Sequence, residues 1–453
     1  VNDDATNSCA AMREGARLVV RAPLRTKIIV VLLFALTLLM LPVGRGAVHE
    51  HRKATESGYT READAGSLLA PLAFDSGFNF RLRPGADFFA IYEAGLRARS
   101  GDDPYSAGLE APRRAPYATQ FRYPVVTAYW LGAPLSLLPP WVAYALWIGA
   151  CVAMLIANYL LCVGRSPQHA ILLTVVWFAW FPVMPELHMG QFSLLLATLM
   201  LWTADLLLGG RRWAGLTWMF AVLLKVYPLA WAPLLWRVGR RRAVIATIVV
   251  LSLSVCATLR YFPKGTEVGV VRVGILGSVI AKLHQPYAGA QGMQSAINAI
   301  CWKVTGHGFD EPTPESPAPH LSDPTLILSL LMIAAYSAFA LWGILRWWRN
   351  RDPDRLIALL GLLWLAWFVA FKDNWEHHYV LVQALTAMLL SRGILSSRQT
   401  ILVWFFAGAP SLWVVWHRLW GGGVSELVGL LYFIQRPAAL LILLTHVAKC
   451  LRG

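Results

Sequence analysis

The chain has 453 residues, of which 57% are hydrophobic and only 14% charged. Soluble domains carry about 25% charged residues, so the composition excludes an ordinary soluble fold and points to helices in a bilayer. The formal net charge of +15 does not mark a nucleic-acid binder. The basic residues cluster in short loops between apolar runs, which is the positive-inside pattern, and no RNP, zinc-finger or helix-turn-helix motif accompanies them. The six cysteines, with no CxxC or paired spacing, give neither a disulfide framework nor a zinc site.

In chain order, residues 1–25 form a basic tail, expected on the cytoplasmic side. The apolar run 28–43 is followed directly by no small-residue cleavage site and reads as an uncleaved first helix. Residues 44–139 form a long external loop, expected to hold two interfacial helices. The first lies in PGADFFAIYEAGLRARSGDDPY, residues 84–105. Phe88, Ile91, Tyr92 and Leu96 recur at helical spacing, which predicts an amphipathic helix on the membrane surface with Asp87 at its head. Asp87 is equally placed to cap that helix. Asp102 and Asp103 read as turn formers. The second helix is the proline-rich stretch 123–139, and placing it at the interface keeps Arg211 and Arg212 on the side of the other basic loops.

The remaining spans are expected near 140–163, 169–187, 191–208, 213–225, 227–237, 242–260, 324–348, 355–371, 377–391, 399–416 and 426–447. With 28–43 they make about 12 segments. Two of them, 213–225 and 227–237, are too short to span alone and read as a broken pair meeting near Lys225. A second external loop covers 261–323. The predicted fold is therefore all-α: a polytopic membrane protein with one transmembrane domain over 26–448 and external loops at 44–139 and 261–323.

This topology gathers polar residues on the external face: Asp87, Tyr92, Tyr123, Gln191, Lys225, His284, Gln294, Ser295, Lys372, His377 and His378. Polar groups beside hydrocarbon are costly, so their convergence marks a site. The residues also have structural readings. Lys225 has the position of a snorkelling lysine, and Gln191 and Gln294 that of interhelical hydrogen bonders. His377 and His378 are adjacent rather than four apart, so they lack the spacing of a helical metal pair, and no metal or other cofactor is expected.

The order of these pieces resembles a known family. A basic tail and one helix precede an external loop with Asp in a GADF…Y context. Then come an aromatic–Pro segment, GQ opening a span, LLKVYPL before basic residues, QSAIN in the late loop and HHY opening a late span. This is similar to the polyprenyl-phosphate-sugar-dependent glycosyltransferases of the GT-C class, most of all to family 87, whose members include mycobacterial mannosyltransferases of phosphatidylinositol mannoside assembly. The resemblance covers residues 26–445 and implies an inverting transferase with its general base in the first external loop, a position that Asp87 matches. It differs from the family's usual pattern in reading Tyr123-Pro124-Val125, Met293-Gln294-Ser295 and Lys225-Val226-Tyr227-Pro228.

The expected function is transfer of a sugar, mannose or another hexose or pentose, from a polyprenyl-phosphate donor to a lipid or glycan acceptor outside the cytoplasmic membrane. Lys225, His377, His378 and Lys372 are expected at the donor phosphate, and Tyr92, Tyr123, Gln191, His284, Gln294 and Ser295 around the substrates. The competing expectation is a multi-pass transporter or lipid-linked-sugar flippase. That class favours internal repeats and acids near mid-membrane. No repeat is visible, and Asp205 is the main acid noticed in a span.

Overall fold

The computed structural model describes residues 85–108, 110–118, 121–260, 292–304, 324–350, 352–370, 374, 376–409 and 426–452. The basic tail, the expected first span 28–43, most of the loop 261–323, His284 and Lys372 lie outside the described residues. Among those described, the secondary structure is helical throughout, with a single isolated bridge between Ala107 and Glu110.

Helix α1, Ala86–Arg99, opens after Gly85, whose left-handed backbone (φ 76°) occupies the N-cap position. Asp87 therefore stands in the first turn and not at the cap, where its negative charge favours the helix dipole. The helix was expected to rest on the membrane with one face down. Instead it is enclosed by protein on most sides: Phe88, Phe89, Ile91, Tyr92, Glu93, Ala94 and Arg97 are all buried. The reason is a backbone contact. Helix α2, Val125–Leu135, contains five residues of π-helix over Ala128–Gly132 and crosses α1 at two glycines. A Cβ on Gly95 would stand 1.9 Å from the Gly132 carbonyl carbon, and one on Gly132 would stand 2.4 Å from the Ile91 oxygen.

The loop after α1 is tied back to it. Buried Glu93 accepts the Arg113 N–H at 2.7 Å, and Arg97 donates to Glu110 at 2.7 Å. That arginine holds the Glu110 carboxyl below its ordinary value. Asp103 accepts the Tyr105 N–H at 2.9 Å, the turn-forming role expected of it, and Asp102 pairs with Arg113 at 2.6 Å.

The bundle follows: α3 (Pro140–Arg165), α4 (Ala170–Phe178), α5 (Val183–Met189), α6 (Ser193–Leu208) and α7 (Ala214–Leu224). Then come α8 (Ala232–Arg237), α9 (Arg241–Arg260), α10 (Met293–Val304), α11 (Pro324–Asn350) and α12 (Pro353–Ala370). The last three are α13 (Val380–Ser391), α14 (Ser397–Val403) and α15 (Glu426–Arg452). Four helices of the described residues are long and apolar enough to cross a bilayer: α3, most of α11, α12 and the later part of α15. A fifth span is α4 with α5, bent by 46°, if the two form one span. The bend falls where Pro182 and Pro185 cannot donate to the preceding turn. Of the other expected segments, 242–260 appears as the 20-residue α9, while α6, with 16 residues, is about 24 Å long, less than the hydrocarbon thickness of about 30 Å. The expected break near Lys225 is present, because α7 ends at Leu224 and a short 3₁₀ turn, Tyr227–Trp231, leads into α8.

Helix α6 is the central post, packing on α7, α13, α3 and α12. At its C-terminal end Asp205 receives two nitrogens of Arg165, each at 2.9 Å, and Arg392 at 2.6 Å. This triad joins the ends of α3, α6 and α13. Removing the acid would leave two arginines facing each other. Asp205→Ala should cost about 3 kcal/mol, read as the unfolding free energy in detergent. Arg165→Ala should cost clearly less, since Asp205 keeps Arg392.

Candidate active site

At the opposite end of α6 the polar residues collect. Ser193 and Asp205 are twelve residues apart, which is about 18 Å along the helix. Helix α7 runs back along α6, so its C-terminal Lys225 returns to the level of Gln191. Helix α13 begins just after His377 and His378 and ends at Ser391, with Arg392 at its C-cap. Each element therefore carries a polar site residue at one end and a basic residue or its partner at the other.

The first group forms at the α5–α6 junction. Helix α5 closes on Gly190 in the left-handed region (φ 63°), and the Gln191 N–H bonds back to the Glu186 carbonyl at 2.9 Å. The Gly85 N–H donates to the His188 carbonyl at 2.8 Å, docking the start of α1 on this turn. The Tyr144 hydroxyl donates to the same carbonyl at 2.9 Å. The outcome is that the Gln191 side-chain amide donates to Asp87 Oδ2. The Tyr123 hydroxyl donates to Gln191 Oε1 at 3.4 Å. Enclosure, then the Asp87 and Glu186 carboxylates, push the Tyr123 phenol well above its ordinary value, so it stays protonated and able to donate.

The second group surrounds Lys225. Its ammonium lies 3.0 Å from His378 Nε2 and 5.3 Å from the centre of the Trp367 ring. An ammonium has only donors, so His378 Nε2 accepts and that ring carries its proton on Nδ1. His377 packs 4.2 Å from His378, ring centre to ring centre, and its buried Nδ1 has no hydrogen-bond partner among the described residues. The two groups meet electrostatically: the carboxylates of Asp87 and Glu186 both act on Lys225.

A third piece abuts this cluster. Gln294 is fully buried at the start of α10 and donates to the Ala370 carbonyl at 2.9 Å, with buried Ser295 beside it. Gly292 lies against Asn374, whose amide reaches the Trp367 carbonyl at 3.4 Å. Tyr92 is placed differently. Its hydroxyl donates to the Leu138 carbonyl at 2.7 Å, and its ring packs among Phe88 and Phe89. The structure thus brings Asp87, Tyr123, Gln191, Lys225, His377 and His378 into one neighbourhood, sets Gln294 and Ser295 on its border and puts Tyr92 to structural use. Lys372 and His284 lie outside the described residues.

Two residues in this neighbourhood were missed by the sequence reading. Trp367 lies under Lys225 but reads as one more aromatic of an apolar span. Glu186 is fully buried, and its Oε1 accepts the Leu194 N–H at 2.6 Å. The signal for it was present, since an acid inside an apolar run is rare. Among the described residues, no group of three or more His, Cys, Asp or Glu is placed to hold a metal ion.

Gly190 makes a direct test. A Cβ there would fall 2.6 Å from Phe88 Cβ, in a backbone conformation that L-residues avoid. Gly190→Ala should cost roughly 2–5 kcal/mol, combining strain of about 1–2 with overpacking of about 1–3. Gly239→Ala has a similar positive φ but nothing within 4 Å, so it should lose only about 1–2 kcal/mol. Detergent unfolding midpoints of the two variants check the difference.

Neither a curated protein nor a solved structure matches the chain. The model of glycosyltransferase family 87 does, over residues 121–370, more than half of the sequence. The matched stretch holds Tyr123, Glu186, Gln191, Lys225, Gln294, Ser295 and Trp367, while Asp87, His377 and His378 flank it. Membership favours a transferase over the transporter or flippase alternative. With its apolar helices, the chain belongs to glycosyltransferase family 87 and is a membrane glycosyltransferase.

Proposed function

We propose that this protein moves a sugar from a polyprenyl-phosphate donor to a hydroxyl of a lipid or glycan acceptor, with inversion, on the external face of the cytoplasmic membrane. One observation carries the reading: a carboxylate, Asp87, held by Gln191, lies within electrostatic reach of the Lys225–His378 pair. Transfer from a glycosyl phosphate needs these two functions. The acceptor hydroxyl must lose a proton as its oxygen bonds to the anomeric carbon. The bond from that carbon to the phosphate oxygen breaks, and its electron pair leaves on the phosphate.

Asp87 takes the proton. Gln191 fixes one of its oxygens and so aims the other lone pairs. Lys225 and His378 supply positive charge and a donor where phosphate charge grows, with His377 and Lys372 as further candidates. Phosphate is already a good leaving group, so no second carboxylate is needed as an acid. That distinguishes the reaction from glycoside hydrolysis, which uses a pair. Trp367 beneath Lys225 stabilises the ammonium by its ring face and keeps it from swinging into lipid. Tyr123, Gln294 and Ser295 line the substrates.

Asp87→Asn preserves size and the helix, since the cap belongs to Gly85. It removes the basic oxygen, so turnover should fall about 10²-fold or more at unchanged thermal stability. Asp103→Asn is the control and should match wild type. The measurement is transfer from polyprenyl-phosphate mannose to a lipid acceptor by purified protein in detergent. An Asp87→Asn variant with near-normal turnover would sink the base assignment.

The orientation has its own test. Exposed Arg212 stands in the α6–α7 turn, at the end opposite Asp87. On a cysteine-free background, Arg212→Cys should react with an impermeant maleimide only from the cytoplasmic side. Labelling of intact cells from outside would turn the site inward.

A further inference from the structure

Arg436 is a cation to which the proposed reaction gives no task. Its side chain is fully buried. It stands in the part of α15 that is apolar enough to cross a bilayer, Ile434–Arg452. A guanidinium is costly at such a place and marks a functional feature by default.

Its contacts show what it holds. Beyond α14 the chain makes a π-helical turn, Trp404–Gly408, and the helix stops. The last carbonyls of a helix lack donors of their own. Arg436 Nη1 donates to two of them, that of Ala407 and, at 3.4 Å, that of Phe406. The Gly408 carbonyl accepts the Phe181 N–H at 2.6 Å, in the bend between α4 and α5. A Cβ on Gly408 would stand 2.6 Å from Trp180, so main chain and indole are in close contact. That indole N–H donates to the Tyr379 carbonyl at 3.0 Å. The circuit closes on the arginine itself, whose guanidinium carbon lies 5.6 Å from the centre of the Tyr379 ring. Tyr379 ends the 3₁₀ turn Glu376–Tyr379, directly after His377 and His378. The turn that aims His378 at Lys225 is thus gripped at its last residue, by the carbonyl and by the ring.

We propose that Arg436 is a positioning residue: through the Tyr379 ring it fixes the His377–His378 turn against the end of the α14 segment, and so sets the His378–Lys225 contact. Its consequence for activity rests on the reading of Lys225 and His378 as phosphate-binding residues. Arginine suits the place because a planar guanidinium stacks on a ring while its N–H groups bond carbonyls at its edge. An ammonium is a point charge and does not join the two.

The test sets Arg436→Lys, Tyr379→Leu and the double variant beside wild type, with the unfolding midpoint of each measured in detergent. Lysine keeps the charge and loses the fork. Leucine keeps the main-chain carbonyl and loses the ring face. With the polyprenyl-phosphate sugar that wild type transfers, donor kcat/KM should fall about 10- to 100-fold in each single variant. The acceptor KM should stay at the wild-type value, and the double variant should lose no more than either single one. The second readout is NMR of protein with isotope-labelled histidine and no substrate. The His378 signal, identified by its loss in His378→Gln, should show the Nδ1–H tautomer in wild type and mixed tautomers in the variants. An unchanged His378 signal in folded variants overturns the proposal. So do additive losses in the double variant, which make the two residues independent. A loss shared by donor and acceptor, in step with the midpoint, makes Arg436 a structural cap and overturns it too. If Arg436→Lys does not fold, Tyr379→Leu decides by the same measurements. Wild type with the Nε2–H tautomer overturns the proposal without any variant, since His378 would not then accept from Lys225. Wild type inactive with every polyprenyl-phosphate sugar would overturn the donor reading alone, because the histidine signal reports the position of His378 without a donor.

Discussion

Inside a bilayer, a broken helix must find partners for its freed backbone groups within the protein. The chain meets that constraint at one level of its bundle. The α5–α6 break is closed by Gly190 and by the Gln191 and Leu194 N–H groups returning to Glu186. The start of α1 is docked on the same turn through the His188 carbonyl. The α7 break delivers Lys225 to His378, and the turn before α13 supplies that histidine. Breaks that would be liabilities singly satisfy one another when stacked. Their side chains then meet at that level, so the cluster is a by-product of where the helices stop.

The two ends of the bundle are chemically unlike. One end is pinned by Asp205 between Arg165 and Arg392, a closed set of charges with all its partners supplied. The other carries Asp87, Glu186, Lys225 and two histidines, a looser set in which His377 Nδ1 has no hydrogen-bond partner among the described residues. A fully paired triad rigidifies its end of the bundle. Because α6, α7 and α13 each run from one end to the other, rigidity at the arginine end holds the register of the residues at the Asp87 end.

Much of this was legible in the sequence, and the failures are instructive. The helix positions followed from apolar runs, and the break near Lys225 from their length. Asp87 stood out because it heads the most polar stretch between two apolar regions. The expectation of a single buried face on α1 rested on Phe88, Ile91, Tyr92 and Leu96, whereas Phe89, Ala90, Ala94 and Ala98 are buried as well. Such a helix is built to be surrounded. Tyr92 was drawn into the site by proximity in sequence, although its position turns it toward Leu138. Glu186 escaped notice because a span with a single acid still reads as a span, and only the fold shows that this acid lies level with Asp87. The reach of Asp87 to Gln191, 104 positions away, is a tertiary fact that no local pattern encodes.

The contact of Gly95 with Gly132 carries a consequence for how this enzyme can change. Where two helices meet through side chains, a mutation on one is absorbed by a new rotamer on the other, and the helices drift apart in small steps over many generations. Here both would-be Cβ atoms point at main chain, which has no rotamer to offer. The separation of α1 from α2 is thus quantised: either both positions stay glycine or the helices part altogether. Asp87 rides on α1, so its place beside Gln191 is held almost constant through divergence. Variation would then fall on the side chains around a stationary carboxylate, in loops and at helix ends.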